Sequence, residues 1–202
     1  MDNLQASRIN GGNSLTGRRA SDFYPTPPEV TVALLKFLRL PTQTHIWEPA
    51  CGDGRMVKAM EAMDYQVIGT DIQSGDDFLS IPLMDCDWII TNPPFRLAEQ
   101  FVRRCAEHKK PFALLLKSQF WNAAKRYKLF LEITPTRILP LTWRPDFTGK
   151  GQAMMDMAWC VWDLAPRGTT YFLPLWKPSA EEMEMLEGLT FPLDKSNGFS
   201  VR

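Results

Sequence analysis

The chain has 202 residues and carries 23 basic and 23 acidic side chains, so its formal net charge is zero. With 45% hydrophobic and 23% charged residues, it is composed as a globular domain that can bury a full core, which excludes a disordered or low-complexity chain. No apolar run approaches the ~20 residues that span a bilayer, and the polar N-terminus lacks the apolar stretch of a signal peptide, so a cytoplasmic location is expected.

Charge is unevenly spread beneath the neutral total. Residues 46–95 hold nine acidic and two basic side chains, whereas residues 103–150 hold eleven Lys and Arg against Glu107, Glu132 and Asp146. An acidic region followed by a basic one permits two faces of opposite sign. Cys51, Cys86, Cys105 and Cys160 form no Cys-x-x-Cys pair. They read as reduced thiols, and no metal is expected.

In chain order, residues 1–21 read as a flexible arm, rich in Gly, Ser and Asn and without period. Its Arg18–Arg19 pair is a candidate phosphate contact. Residues 22–202 read as one domain. Thr26 is placed to cap a helix, with Pro27 at its first position and Glu29 completing a capping box. Val30, Ala33, Leu34, Phe37 and Leu38 form its apolar stripe, and Pro41 ends it.

His45 to Glu48 reads as a strand running into Pro49-Ala50-Cys51-Gly52-Asp53-Gly54, followed by a helix from Arg55 to Met63. Gln66 to Asp71 reads as a second, buried strand, and Asp87 to Thr91 as a third, leading into Asn92-Pro93-Pro94-Phe95. Helical spacing follows from Leu97 to Glu107, then an apolar strand at Phe112–Leu116 and a helix from Gln119 to Leu131. Strands alternating with helices predict an α/β fold whose mostly parallel sheet is covered on both faces. Ligands bind such sheets at the carboxyl ends of the strands. Arg137–Leu141 and Met157–Trp162, joined by a polar loop at Arg144–Gly151, predict an antiparallel hairpin at the sheet edge. Thr170–Trp176 adds an extended piece, and Ala180–Leu186 a short acidic helix.

The turn at Glu48–Gly54 has glycines that let the backbone approach a ligand. It lacks the Gly-Lys-Ser/Thr of a phosphate loop and the G-x-G-x-x-G of a dinucleotide site. Carboxylates at Glu48 and Asp53 repel phosphate and suit a ligand bearing an ammonium and a sulfonium. Asp71 can accept from ribose hydroxyls at the end of the second strand. Asp76 or Asp77, with Asp77 preferred, can accept from an adenine amine, and Ile72 or Phe78 can pack on its ring.

Residues 48–54 resemble the first motif of S-adenosylmethionine-dependent methyltransferases that act on amines. Asp22-Phe23-Tyr24-Pro25-Thr26-Pro27 looks like the upstream motif of that group, which leans over the methionine part of the cofactor. Asn92-Pro93-Pro94-Phe95 matches its catalytic motif. The three stand in the expected order over residues 22 to about 120. They are most similar to the compact DNA adenine-N6 methyltransferases of phages and prophages, and Lys150 and Trp159–Trp162 share that look. The resemblance implies a Rossmann-like methyltransferase fold and S-adenosylmethionine as cofactor. Tyr24, Pro25, Thr26, Glu48, Pro49, Ala50, Gly52, Asp53, Gly54, Asp71, Ile72, Asp77 and Phe78 are its expected seat. The implied substrate is DNA.

Such an amine is a poor nucleophile because its lone pair is delocalised into the ring. Acceptors aimed at its two hydrogens, the Asn92 side-chain oxygen and the Pro93 carbonyl, hold it in line with a methyl donor and bind it more tightly as charge develops. Pro93 and Pro94 preset the backbone, and Phe95 can stack on a base turned out of the duplex. The expected polynucleotide face comprises Lys117, Trp121, Lys125, Arg126, Arg144 and Lys150. About 107 residues follow Phe95, so sequence recognition is expected to be short or relaxed. RNA adenine, cytosine N4, a protein glutamine amide and a non-catalytic nucleic-acid-binding role are the alternatives. The glutamine-directed group normally bears Tyr where this chain has Phe95.

Overall fold

The computed structural model describes residues 24–151, 153, 155–163 and 169–186. The expected arm at 1–21, with Arg18 and Arg19, lies outside the described residues, as do Asp22 and Phe23. In chain order the elements are α1 (Pro28–Leu38), β1 (His45–Glu48), α2 (Arg55–Glu61), β2 (Gln66–Gly69), β3 (Trp88–Thr91), α3 (Ala98–His108), β4 (Phe112–Lys117), α4 (Tyr127–Glu132), β5 (Arg137–Pro140), β6 (Met157–Trp162), β7 (Tyr171–Phe172) and α5 (Ala180–Glu184).

The strands form one sheet in the order β2-β1-β3-β4-β6-β5-β7. β2, β1, β3 and β4 pair in parallel, and β6 runs antiparallel to both β4 and β5. The expected hairpin thus forms with β6 as its inner strand, and β7 adds in parallel beyond β5. All six residues of β6 are buried.

Strand alternation sorts the core into two layers. Ile46, Ile90, Ala113, Leu115, Trp159 and Val161 face α1 and α2. Their chain neighbours Trp47, Ile89, Leu114, Cys160 and Trp162 face α3 and α4. The indoles reach polar partners rather than remaining orphaned. Trp47 Nε1 donates to Thr70 Oγ1 at 2.9 Å, Trp159 Nε1 to the Val30 carbonyl at 3.0 Å and Trp162 Nε1 to the Ile133 carbonyl at 2.9 Å.

Three local expectations are corrected. Thr26 does not cap α1: Pro27 is the N-cap, no side chain caps the helix, and Pro28 opens it. The Thr26 hydroxyl is used elsewhere, as described below. β2 is not a buried strand but a sheet edge, with Ile68 44% exposed. The segment after it supplies only a 3-10 turn, Ile72–Ser74, and no covering α-helix. Residues 119–131 are not one helix. Two 3-10 turns, Ser118–Trp121 and Ala124–Arg126, precede α4, and Ala123 between them is extended at φ −115°, ψ 122°. Trp121 is held inward there by Phe130 and Trp162, so the backbone leaves the helical path to seat it.

Candidate active site

The carboxyl ends of β1, β2 and β3 open into one cavity of about 150 Å³. Tyr24-Pro25-Thr26 lies across it, and Asn92-Pro93-Pro94-Phe95 forms the wall after β3. From the β1 turn come Ala50, Cys51 and Asp53; from the end of β2 come Asp71, Ile72 and Gln73.

The turn after β1 depends on its backbone. Gly52 and Gly54 both have positive φ, 54° and 79°, a conformation glycine adopts without strain. Asp71 ties the ends of β1 and β2 together: Oδ2 accepts from Gly52 N–H at 2.9 Å and Oδ1 from Gln73 N–H at 2.8 Å. Gly69 lets α2 close on β2, since a Cβ there would lie 2.9 Å from Val57 Cγ2 and 3.3 Å from Cys51 Cβ.

Asn92 has a defined orientation. Its Nδ2 donates to the Tyr24 carbonyl at 3.2 Å and to Thr26 Oγ1 at 3.0 Å. A carbonyl can only accept, so the amide nitrogen must face Tyr24. The oxygen Oδ1 is therefore turned the other way. It is buried and has no hydrogen-bond partner among the described residues. A buried acceptor left unpaired costs about 1–3 kcal/mol, which a ligand N–H at that position would recover. Next along the chain, the Pro94 carbonyl is occupied by Leu97 N–H at 2.8 Å.

Phe95 stacks on Tyr24 at 5.2 Å, and Lys117 Nζ stands over the Phe95 ring at 4.4 Å. Tyr24 also meets the edge of Phe147 at 6.1 Å. Phe147 is buried although it belongs to the polar loop, so this ring pins the loop to the site. The Asp146 carboxylate gathers Thr148 Oγ1 and the N–H groups of Thr148, Gly149 and Gly151. Those bonds, led by the Thr148 hydroxyl, hold its carboxyl below the usual carboxylate range.

Tyr24, Pro25, Thr26, Ala50, Asp53, Asp71 and Ile72 of the expected cofactor seat line this cavity, and Cys51, Arg55, Met56 and Gln73 join them without having been singled out. Arg55 Nε pairs with Asp53 Oδ2 at 2.8 Å. Its position at the start of α2 was the available signal. Glu48, Pro49, Gly52 and Gly54 form the floor and turn rather than the lining. Glu48 is fully buried. Its Oε1 accepts from Thr91 Oγ1 and Ala50 N–H, and Oε2 has no partner among the described residues. Burial pushes its carboxyl up to about 8 against those two hydrogen bonds, with the nearby Asp71 charge adding to the rise. Burial thus favours the protonated form of Glu48 in the folded chain.

Phe78 and Asp77 stand apart from the cavity lining. Phe78 is 2% exposed and packed between Trp47 and Phe101, at 5.1 and 4.8 Å, so its faces are taken by the core. Asp77 does not line the cavity; its Oδ1 accepts from Leu79 N–H at 3.1 Å and starts the turn there.

The expected polynucleotide residues divide. Trp121 is half-buried against the core, with Nε1 donating to Cys160 Sγ at 3.4 Å and its ring against Phe120. Lys117 and Arg126 line a second cavity on the other side of Phe95. Lys125 and Lys150 are exposed. Arg144 is exposed and pairs with Asp156 at 2.7 Å.

No family model matches the chain, and no curated protein matches it. Solved structures do share its architecture. A protein from Listeria monocytogenes described as a class I S-adenosylmethionine-dependent methyltransferase superposes with a TM-score of 0.56 at 17% identity, over 84% of this chain and 71% of that one. A modification subunit of a type I restriction enzyme from Vibrio vulnificus gives 0.55 at 15% identity, over 89% and 52%. A dimethyladenosine transferase from Plasmodium falciparum gives 0.54 at 11% identity, over 69% and 62%. The chain spans about half the length of the type I subunit. The fold is therefore the Rossmann-like one of S-adenosylmethionine-dependent methyltransferases: a mostly parallel sheet flanked by helices. Among the described residues, no helix is long and apolar enough to cross a membrane.

Proposed function

We propose that this chain transfers a methyl group from S-adenosylmethionine to the N6 amine of adenine in DNA, with short or relaxed sequence recognition. The observation that carries the reading is the Asn92 amide. Its nitrogen is tied back to Tyr24 and Thr26, and its buried oxygen is presented without a partner beside the cavity.

The residues present fit the cofactor. The cavity offers Asp53 and Asp71 and an apolar wall at Ile72 and Met56, a donor set that suits a cationic ligand with a ribose and a purine. Asp71 would face the ribose, Ile72 the purine, and Tyr24-Pro25-Thr26 the methionine part. When bound, S-adenosylmethionine supplies a methyl carbon on a positively charged sulfur.

The remaining work belongs to the chain. Asn92 Oδ1 and the Pro93 carbonyl accept from the two amine hydrogens and fix the nitrogen lone pair toward the methyl carbon. With the cofactor bound, the amine nitrogen would take its methyl carbon as the carbon–sulfur bond breaks, and one amine proton would pass to water. Positive charge develops on the nitrogen along the way. Two preset oxygens bind it more tightly there than in the ground state. Of the two proline carbonyls, that of Pro94 is already bonded, which favours Pro93 for the second acceptor. DNA as the polymer is supported by similarity to the type I modification subunit and by the cations beyond Phe95.

The test is transfer of labelled methyl to duplex DNA, single-stranded DNA, RNA and a glutamine peptide, followed by digestion and identification of the modified base. N6-methyladenine in DNA is the expected product. Asn92→Ala is expected to lower turnover at least ~100-fold while cofactor affinity stays within about threefold. Methylation confined to RNA or to the peptide, or an Asn92→Ala enzyme with half its rate, overturns the reading.

A further inference from the structure

Tyr24 and Phe95 are the wall between two cavities of different charge. The cavity described above is lined by Asp53 and Asp71, with one cation, Arg55, already paired to Asp53. The second, about 280 Å³, is lined by Arg96, Lys117 and Arg126 together with Phe95 and Phe120, and among the described residues no carboxylate lines it. Cationic side chains facing one cavity favour an anion there.

The side chains are held, not loose. Arg126 lies over the Phe120 ring at 4.0 Å and donates through Nη1 to the Phe120 carbonyl at 2.6 Å. Its Nε is buried without a hydrogen-bond partner among the described residues, and a buried guanidinium N–H is a strong donor for phosphate oxygen. Lys117, at the end of β4, rests its ammonium on the Phe95 ring. A base stacking on that ring would take the place of the ammonium there. The phosphate on the sugar of the same nucleotide would receive it.

We propose that this second cavity seats the phosphate of the nucleotide being methylated, held by Lys117 and Arg126, with Arg96 at its exposed rim. The substrate class follows from the two requirements together: a planar ring for Phe95 and an anion joined to it at nucleotide distance. A protein amide brings neither, and a free base brings only the ring. This deepens the reading above and rests on it, because the amine of that nucleotide is the one placed at Asn92.

The experiment uses adenine-containing oligonucleotides, duplex and single-stranded, against the full chain and its Lys117→Gln, Arg126→Gln and double variants. Lys177→Gln, an exposed lysine away from both cavities, is the control. A second set of oligonucleotides replaces the phosphodiesters flanking the target by neutral methylphosphonates. Each cavity variant is expected to raise KM about tenfold with kcat within about twofold, and to reduce the salt slope of log KM by about one. The neutral linkages should raise KM for the unmodified chain and make no further difference to the double variant. Equal KM and salt slope in all variants, or a methylphosphonate penalty unchanged in the double variant, overturns the phosphate seat while leaving adenine methylation standing. If the unmodified chain methylates no nucleic acid, the functional reading falls instead. Oligonucleotide binding by fluorescence anisotropy then tests the cavity alone, with equal affinities in all variants overturning it.

Discussion

Thr26 Oγ1 accepts a hydrogen bond from Asn92 Nδ2 at 3.0 Å, across 66 residues of chain. Thr26 is 4% exposed and belongs to the segment that leads into α1. Its hydroxyl is one of the two acceptors that hold the Asn92 amide nitrogen and so leave its oxygen turned the other way.

Removing that hydroxyl should loosen the amide without displacing it. Thr26→Val, which keeps the shape, is expected to lower kcat about 3- to 10-fold, the worth of one such hydrogen bond. KM should stay nearly constant and Thr26→Ser should restore most of the rate. A Ser variant as slow as Val would show that the methyl packing, not the hydroxyl, matters.

Gly69 has no room for a side chain. Gly69→Ala places Cβ 2.9 Å from Val57 Cγ2, and overpacking of this kind costs about 1–3 kcal/mol. Thermal unfolding should report a lower Tm, and Val57→Ala in the same chain should return part of it. An unchanged Tm would mean that α2 shifts freely, which its contacts to the β1 turn oppose.

Glu48 makes stability depend on pH. Its carboxyl titrates near 8 in the folded chain against an ordinary 4.5, so the folded state holds a proton that the unfolded state has released between those values. Its contribution is fully present below the unfolded value and declines as pH rises toward 8. Glu48→Gln lacks this decline. The Tm of the Gln variant relative to the parent should therefore increase from about pH 5 to about pH 8, measured by calorimetry. A difference flat with pH would place the Glu48 titration elsewhere.

Phe78 belongs to the core, and its truncation should act on stability alone. Phe78→Ala is expected to destabilise by about 3–5 kcal/mol, read by urea unfolding. The folded fraction should retain its S-adenosylmethionine affinity. A large loss of affinity in folded protein would return the ring to the cofactor seat.

The parallel pairing of β1 to β4 and the placing of Glu48–Gly54 and Asn92–Phe95 after strands were legible because alternation and turn chemistry act locally. Residue types also exposed Asn92 and Asp71, close behind strand ends, and Asp53 in the turn after β1. What could not be read were the choices made by tertiary packing. Phe78 follows a strand end and Trp121 lies in a basic stretch, positions that point toward a ligand, yet both pack against side chains brought from other strands. Thr26 carried every local mark of a helix cap, and a partner 66 residues away competed successfully for it. The exposure of β2 follows from the absence of a covering helix in 70–87, a missing neighbour rather than a property of Ile68 itself.

The antiparallel strand β6 has a consequence for how the chain is made. β4, apolar along Phe112–Leu116, gains its second neighbour only when residues 157–162 arrive, some forty positions later in synthesis. Until then an unpaired hydrophobic ladder stands at the margin of a half-built sheet, where it can recruit other chains. Ribosome-bound intermediates that end before Met157 should be the aggregation-prone ones, and chaperone demand should fall once Trp162 has emerged.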